Sequence, residues 1–278
     1  MCSPVPIGVA IAGASGRLGR ALIQVLQQST TARLQGALVS PNSPWAGQDA
    51  GKLVGVEPLG VILTTNVSEA LFKAAVLIDF TTPSATLHHL ERCRQQGKAM
   101  VIGTTGLEDN AQRLIAQTAQ QIAVLQSANF SLGVQLLYQL AASAARVLGT
   151  ESDIDIIDQH HRHKRDAPSG TALALGERLA NTLGLEWPGC LDTVPPGRST
   201  GRAAGKIQFA SVRSGETVGE HRVSFTLADE QLSITHQAMS RLAFAKGAVR
   251  AAQWLVHQPA AHYTLQDLLE QSVSQGSS

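Results

Sequence analysis

Through the first 126 residues, short apolar runs alternate with segments of helical period, and this alternation restricts the fold more than any other property of the chain. Residues 7–12, 34–39, 75–80, 100–102 and 122–126 read as strands, because each is short, apolar and bounded by turn-forming residues. Residues 17–28, 67–74, 83–96 and 108–121 read as helices; in the first of them Leu18, Ala21, Leu22, Val25 and Leu26 recur at helical spacing. A strand followed by a helix and then another strand cannot close as a hairpin, so the sheet must be parallel, with helices on both faces.

The pattern changes after Asn129. Residues 132–147 form an Ala/Leu-rich helix, 154–158 a strand that runs into a basic loop, and 171–183 another helix. Residues 187–205 are rich in Pro and Gly and read as a loop. Residues 206–213, 220–227 and 231–238 then read as antiparallel strands joined by turns at Ser214-Gly215 and Ala228-Asp229. This stretch is α+β. Helices over 242–257 and 265–270 close the chain.

A chain of 278 residues with 44% hydrophobic and 15% charged composition has room for two ordinary domains. Lys and Arg number 22 against 21 Asp and Glu, so no global field draws the protein to nucleic acid or an anionic membrane. Cys2, Cys93 and Cys190 lie far apart and leave an odd thiol, which fits a reducing compartment better than a disulfide framework. The first residues carry neither a basic flank nor an apolar run of signal length, so a cytoplasmic protein is expected.

Gly13-Ala14-Ser15-Gly16-Arg17-Leu18-Gly19 stands where the first strand hands over to the first helix. Missing side chains there let the backbone turn sharply and approach a pyrophosphate, whose charge a helix N-terminus favours. Gly103-Thr104-Thr105-Gly106 and Ser127-Ala128-Asn129-Phe130 end later strands, where open parallel sheets bind ligands, and Asp79-Phe80-Thr81-Thr82-Pro83 ends another. A carboxylate that would hold a ribose 2′-hydroxyl is missing after the second strand, which reads Leu38-Val39-Ser40-Pro41-Asn42. Ser40 and Arg17 could instead accept a 2′-phosphate, which leaves both NADPH and NADH as candidates. His88 and His89, beside Glu91 and Arg92, are expected on a partly exposed helix face, with Cys93 packed beneath.

The densest group of titratable residues is His160-His161-Arg162-His163-Lys164-Arg165, which runs into Asp166-Ala167-Pro168-Ser169-Gly170-Thr171 and a helix. Ser169, Gly170 and Thr171 bring hydroxyls and backbone N–H groups to a helix N-terminus, a receptor for a carboxylate. Crowded cations beside it leave a proton donor poised for an incoming anion. A solvated basic loop, a metal site using His161 and His163, and a nucleic-acid patch are the other readings of this segment.

These motifs occur in the order found in the dihydrodipicolinate reductase family, which the chain resembles from about residue 7 to residue 255, Gly219-Glu220-His221 and Ile234-Thr235-His236 included. The basic segment is the specific part of that likeness. The resemblance implies a Rossmann-like doubly wound domain over residues 1–130 and 241–278, with an α+β substrate and oligomerisation domain containing a mixed sheet over 131–240. It implies reduction of 4-hydroxy-tetrahydrodipicolinate to tetrahydrodipicolinate, with loss of water, by NADPH or NADH on the diaminopimelate route to lysine. By the same likeness His160 is the proton donor, Lys164 the second catalytic cation, and His161, Ser169, Gly170 and Thr171 hold a small cyclic dicarboxylate. Gly13, Ala14, Ser15, Gly16, Arg17, Leu18, Gly103, Thr104, Thr105, Ser127, Ala128, Asn129 and Phe130 would line the dinucleotide. No metal is implied, and a homotetramer assembled through the middle-domain sheet is.

Overall fold

The structure, a computed structural model, describes residues 5–149, 151–193 and 201–275. The chain forms β1 (Ile7–Ala12), α1 (Arg17–Gln28), β2 (Ala32–Leu38), β3 (Leu63–Thr64), α2 (Val67–Leu71), β4 (Val76–Asp79), α3 (Pro83–Gln95), β5 (Ala99–Ile102), α4 (Asp109–Thr118) and β6 (Val124–Gln126). There follow α5 (Leu132–Leu148), β7 (Asp153–His160), α6 (Gly170–Leu183), β8 (Leu191–Asp192), β9 (Ile207–Arg213), β10 (Gly219–Thr226) and β11 (Gln231–Ala238). The last elements are α7 (Leu242–Leu255), β12 (His262–Tyr263) and α8 (Leu265–Gln275). Two compact units result, one made of the residues up to Ser131 together with those from Arg241 onward, the other of Leu132–Ser240.

In the first unit seven parallel strands take the order β12-β6-β5-β4-β1-β2-β3. Val9, Ile11, Leu77, Ile78, Met100 and Ile102 are completely buried, as apolar runs must be in a sheet covered on both faces. The strand order reverses between β1 and β4, the switch point beside which such sheets bind ligands. β3, β12 and a 3-10 turn at Ala50–Leu53 are too short to announce themselves in the sequence. The helix read over 67–74 is only the five residues of α2.

The second unit holds a five-stranded mixed sheet of order β11-β10-β7-β9-β8. β7 alternates between exposed or half-buried and buried positions, with Ile154 and Ile156 turned into a core that also contains Val223, Phe225, Leu175 and Leu179. The three strands read as an antiparallel run require correction. Only β10 and β11 form a hairpin, because β7 lies between β9 and β10, pairing parallel to the first and antiparallel to the second. β7 also continues two residues beyond its expected end at Asp158, which places His160 on the strand rather than in the loop.

Candidate active site

The glycine turn of the first unit has the backbone its residue types suggest. Gly13 has φ +82°, and a Cβ there would stand 2.7 Å from the Phe80 carbonyl oxygen. A Cβ on Gly19 would come within 2.2 Å of the Gly13 carbonyl oxygen, so the first turn of α1 can pack on the loop only without one. Gly16 occupies the N-cap with no side-chain capping bond, and the first turn of α1 has no acidic residue. Its N–H groups and positive dipole end are therefore left for an anion, and the turn fits a dinucleotide pyrophosphate. Arg17 and Ser40 are exposed.

Arg20, not singled out in the sequence, braces this turn. Its Nε donates to the Ser15 carbonyl (3.1 Å), its Nη1 to the Leu53 carbonyl (2.9 Å), and its guanidinium lies 5.3 Å from the centre of the Trp45 ring. A Gly13→Ala substitution should weaken NADPH binding at least about tenfold, since an L residue at this φ and this contact costs more than about 1–2 kcal/mol. Fluorescence titration with NADPH measures it, and an unchanged dissociation constant would contradict this use of the turn.

At the ends of β4 and β5 the loops are tied by a fully buried carboxylate, Asp79. Its Oδ1 accepts from Thr81 Oγ1 (2.6 Å) and Thr104 Oγ1 (3.2 Å), and its Oδ2 lies 2.7 Å from His89 Nδ1. Thr104 Oγ1 in turn accepts from the Thr81 N–H (3.0 Å) and from Thr86 Oγ1 (2.8 Å). With its proton given to Asp79 and both lone pairs filled, that hydroxyl is committed inside the protein, so Thr104 can meet a dinucleotide only through its backbone. His89, expected on a partly exposed face, is buried, because a desolvated carboxylate requires a partner. Only His88 is exposed. Cys93 is completely buried as expected, and burial, with the charge of Asp79, pushes its thiol far up, which makes it inert.

The loop after β6 orders itself. Ser127 Oγ donates to the Asn129 carbonyl (2.8 Å), and Asn129 Oδ1 accepts from the Ser131 N–H (2.8 Å). Phe130 is buried edge-on against Phe80 with centroids 5.4 Å apart, so its ring belongs to the core and only its backbone is left for a ligand. Gly103 is the position where the Phe80 ring lies against bare backbone, and Thr105 is exposed.

In the second unit, register and the two-residue period of strands align Ser211, Asp158, His221 and His236 across β9, β7, β10 and β11. His160 and Arg213 form the next row, with Gly219 bare enough that a Cβ there would lie 3.0 Å from His160 Nε2. His160 Nδ1 lies 3.1 Å from Asp158 Oδ2, and Asp158 also accepts from Ser211 Oγ (2.6 Å) and Arg213 Nη1 (3.0 Å). Burial works to raise the Asp158 carboxyl, but these hydrogen bonds and the Arg213 charge hold it well below the usual carboxylate range. An ionised Asp158 fixes the His160 ring with Nδ1–H toward it.

The basic segment is strapped to the β9–β10 turn. The Ser214 N–H donates to the His160 carbonyl (2.9 Å), the Arg162 N–H to the Gly215 carbonyl (3.1 Å), and Arg213 Nη2 to the Asp166 carbonyl. Lys164 Nζ sits 2.8 Å from Asp166 Oδ2, and this hydrogen bond lowers the Asp166 carboxyl. Ser169 is the N-cap of α6, its Oγ accepting from the Ala172 N–H (3.2 Å) and lying 3.1 Å from His221 Nε2. The Tyr138 hydroxyl donates to the Thr171 carbonyl (3.2 Å), and burial pushes that phenol up to about 12. His161 and His163 have ring centroids 6.2 Å apart. Among the described residues no group of three or more His, Cys, Asp or Glu is arranged to hold a metal.

The structure thus brings His160, Lys164 and Ser169 together on strand β7, its loop and the start of α6. It adds Asp158, Ser211, Arg213 and His221, which the motifs did not supply as site members. Their signal lies in strand period: Asp158 with His160, Ser211 with Arg213, and Gly219 with His221 are each two apart and share a face.

A doubly wound dinucleotide sheet, joined in one chain to a strand end and helix start that carry histidine and lysine, fits the class of nicotinamide-dinucleotide-linked reductases. Two family profiles match the chain: "Dihydrodipicolinate reductase, N-terminus" over residues 7–130 and "Dihydrodipicolinate reductase, C-terminus" over residues 133–269. The 4-hydroxy-tetrahydrodipicolinate reductase of Pseudomonas fluorescens (strain SBW25) is 47% identical over 263 residues, which are 94% of this chain and 98% of that protein. Dipicolinate-bound dihydrodipicolinate reductase from Paenisporosarcina sp. TG-14 shares the fold at a TM-score of 0.74 and 24% identity, covering 94% of this chain and 98% of that one. An amine dehydrogenase from Mycobacterium smegmatis shares it at a TM-score of 0.60 and 13% identity, covering 95% of each chain. The chain belongs to the dihydrodipicolinate reductase family. It is an NAD(P)H-dependent oxidoreductase of the diaminopimelate route to lysine.

Proposed function

We propose that the chain reduces 4-hydroxy-tetrahydrodipicolinate to tetrahydrodipicolinate with His160 and Lys164 at the reacting atoms. The observation that supports this most is that His160, paired with Asp158, packs 5.1 Å ring to ring against His221, whose Nε2 lies 3.1 Å from Ser169 Oγ at the α6 N-cap. His161, Ser169, Gly170 and Thr171 take the substrate carboxylates at the start of α6, where a helix N-terminus favours an anion. NADPH or NADH, when bound at Gly13–Leu18, Gly103–Thr105 and Ser127–Phe130, supplies the hydride. The substrate loses its hydroxyl together with a proton from the neighbouring ring carbon as water, which leaves a conjugated ring; hydride then adds to the carbon that carried the hydroxyl, and His160 delivers a proton to the adjacent carbon. Lys164 stabilises the negative charge that develops meanwhile. Asp158 keeps the imidazole in one orientation throughout.

The exposed residues Ala210, Val212, Arg222, Thr235 and Gln237 lie on a single face of the five-stranded sheet, a surface suited to assembling a homotetramer. Among the described residues no helix is long and apolar enough to cross a membrane, and a cytoplasmic site of action fits this chemistry. The deciding experiment supplies purified protein with enzymatically generated 4-hydroxy-tetrahydrodipicolinate and follows nucleotide absorbance with NADPH and NADH in parallel. Substrate-dependent oxidation is expected with at least one of them; none with either would end this reading.

A further inference from the structure

His221 is buried beside the active row, yet no step above uses it. Its Nε2 lies 3.1 Å from Ser169 Oγ, while its Nδ1 is buried with no hydrogen-bond partner. The ring meets His160 edge-on with centroids 5.1 Å apart. Burial above all, then the charges of His160, His236 and Lys164, push its pKa down to about 4 against the opposing pull of Asp158, so it is neutral at pH 7.

A neutral imidazole carries one N–H, and proton accounting decides where it sits. With the proton on Nδ1, a buried N–H would face no acceptor. On Nε2 it donates to Ser169 Oγ, and only the Nδ1 lone pair goes unused. Orphaned buried N–H groups are rare in proteins, and unused lone pairs less so, which selects the second tautomer. Ser169 Oγ then accepts twice, from His221 Nε2–H and from the Ala172 N–H (3.2 Å), and both of its lone pairs are filled. The only hydrogen-bonding capacity left to that hydroxyl is its own proton.

We propose that His221 is a positioning residue that makes Ser169 an obligatory donor, so that the start of α6 favours an ionised carboxylate oxygen and rejects a group that presents a donor there, an amide N–H or the O–H of a protonated acid. The inference rests on the reading that Ser169 holds a substrate carboxylate. It adds that the selectivity of this hydroxyl is set from β10, by a residue that never touches the substrate.

Two measurements test it. Nitrogen NMR of the ¹⁵N-histidine-labelled wild-type protein should show His221 protonated at Nε2; protonation at Nδ1 would overturn the proposal. Inhibition by dipicolinate, a stable planar diacid, should weaken about tenfold or more in His221→Phe, the weight of one hydrogen bond to a charged group. His221→Gln keeps a donor and should restore most of the affinity, with NADPH binding unchanged in both. The double variant Ser169→Ala/His221→Phe should bind dipicolinate no more weakly than Ser169→Ala alone, whereas additive losses would show that His221 acts by another route. If Ser169→Ala alone leaves dipicolinate inhibition unchanged, the substrate reading fails; if it weakens inhibition while His221→Phe does not, only the role of His221 fails.

Discussion

A Lys164→Ala variant is expected to lose at least about a hundredfold in kcat, the usual contribution of one preorganised charge to a transition state. Its NADPH dissociation constant and melting temperature should stay close to wild type. The separation follows from where Lys164 stands. Its side chain is 22% exposed and its carboxylate partner, Asp166, is 58% exposed, so the pair is a surface ion pair that contributes little to folding. What the ammonium adds must therefore appear in chemistry. Steady-state kinetics alongside a thermal melt checks both halves, and a variant with near-normal turnover would remove Lys164 from the reaction.

The largest effect on the protein itself is expected at Asp158. Its side chain is 1% exposed and it takes hydrogen bonds from Ser211 and Arg213 while facing His160. Replacing it with Ala strands Arg213 and His160 without their anion, and breaking such a buried arrangement costs about 3–5 kcal/mol, readable in urea unfolding. Asp158→Asn keeps the shape but can present an N–H to His160 Nδ1, so it should lower kcat far more than it lowers stability. A pH dependence follows as well. Because the folded protein holds this carboxyl below its ordinary value, its contribution is fully present above about pH 4, the range of an unfolded aspartate, and is lost as pH falls through the lower folded value. Wild type should therefore lose urea resistance below about pH 4 more steeply than Asp158→Asn. Parallel slopes for the two proteins would contradict the assignment.

Much of the dinucleotide unit is legible in residue order, since each apolar run there is followed by an amphipathic one and the glycine turn lies between the first two. Gly13 and Gly19 read correctly because the backbone conformation and close approach they permit are local matters. The second unit is less legible. Whether β9 pairs with β10 or with β7 depends on which strand reaches the middle of the sheet, and no local pattern near Ser214-Gly215 records that choice. His89 misleads for a related reason: its partner, Asp79, lies on a strand, and a helix containing Glu91 and Arg92 looks like a surface helix from its own composition. Thr104 appears in a ligand-facing loop, but whether its hydroxyl turns outward depends on Thr86 and Thr81. The basic segment shows plainly in the sequence, whereas the Asp158, Arg213 and His221 that give it an orientation become visible only once strands distant along the chain are in register.

The ties from Ser214, Gly215 and Arg213 to the basic segment bear on the order in which the protein can acquire its activity. A nascent chain that has just emerged past α6 already contains every residue of the histidine-rich run, but not the strand that gives the run its shape. Fragments stopping short of β9 would therefore contain the basic run without the ties that shape it, so under the proposed function competence for the substrate arises late in synthesis.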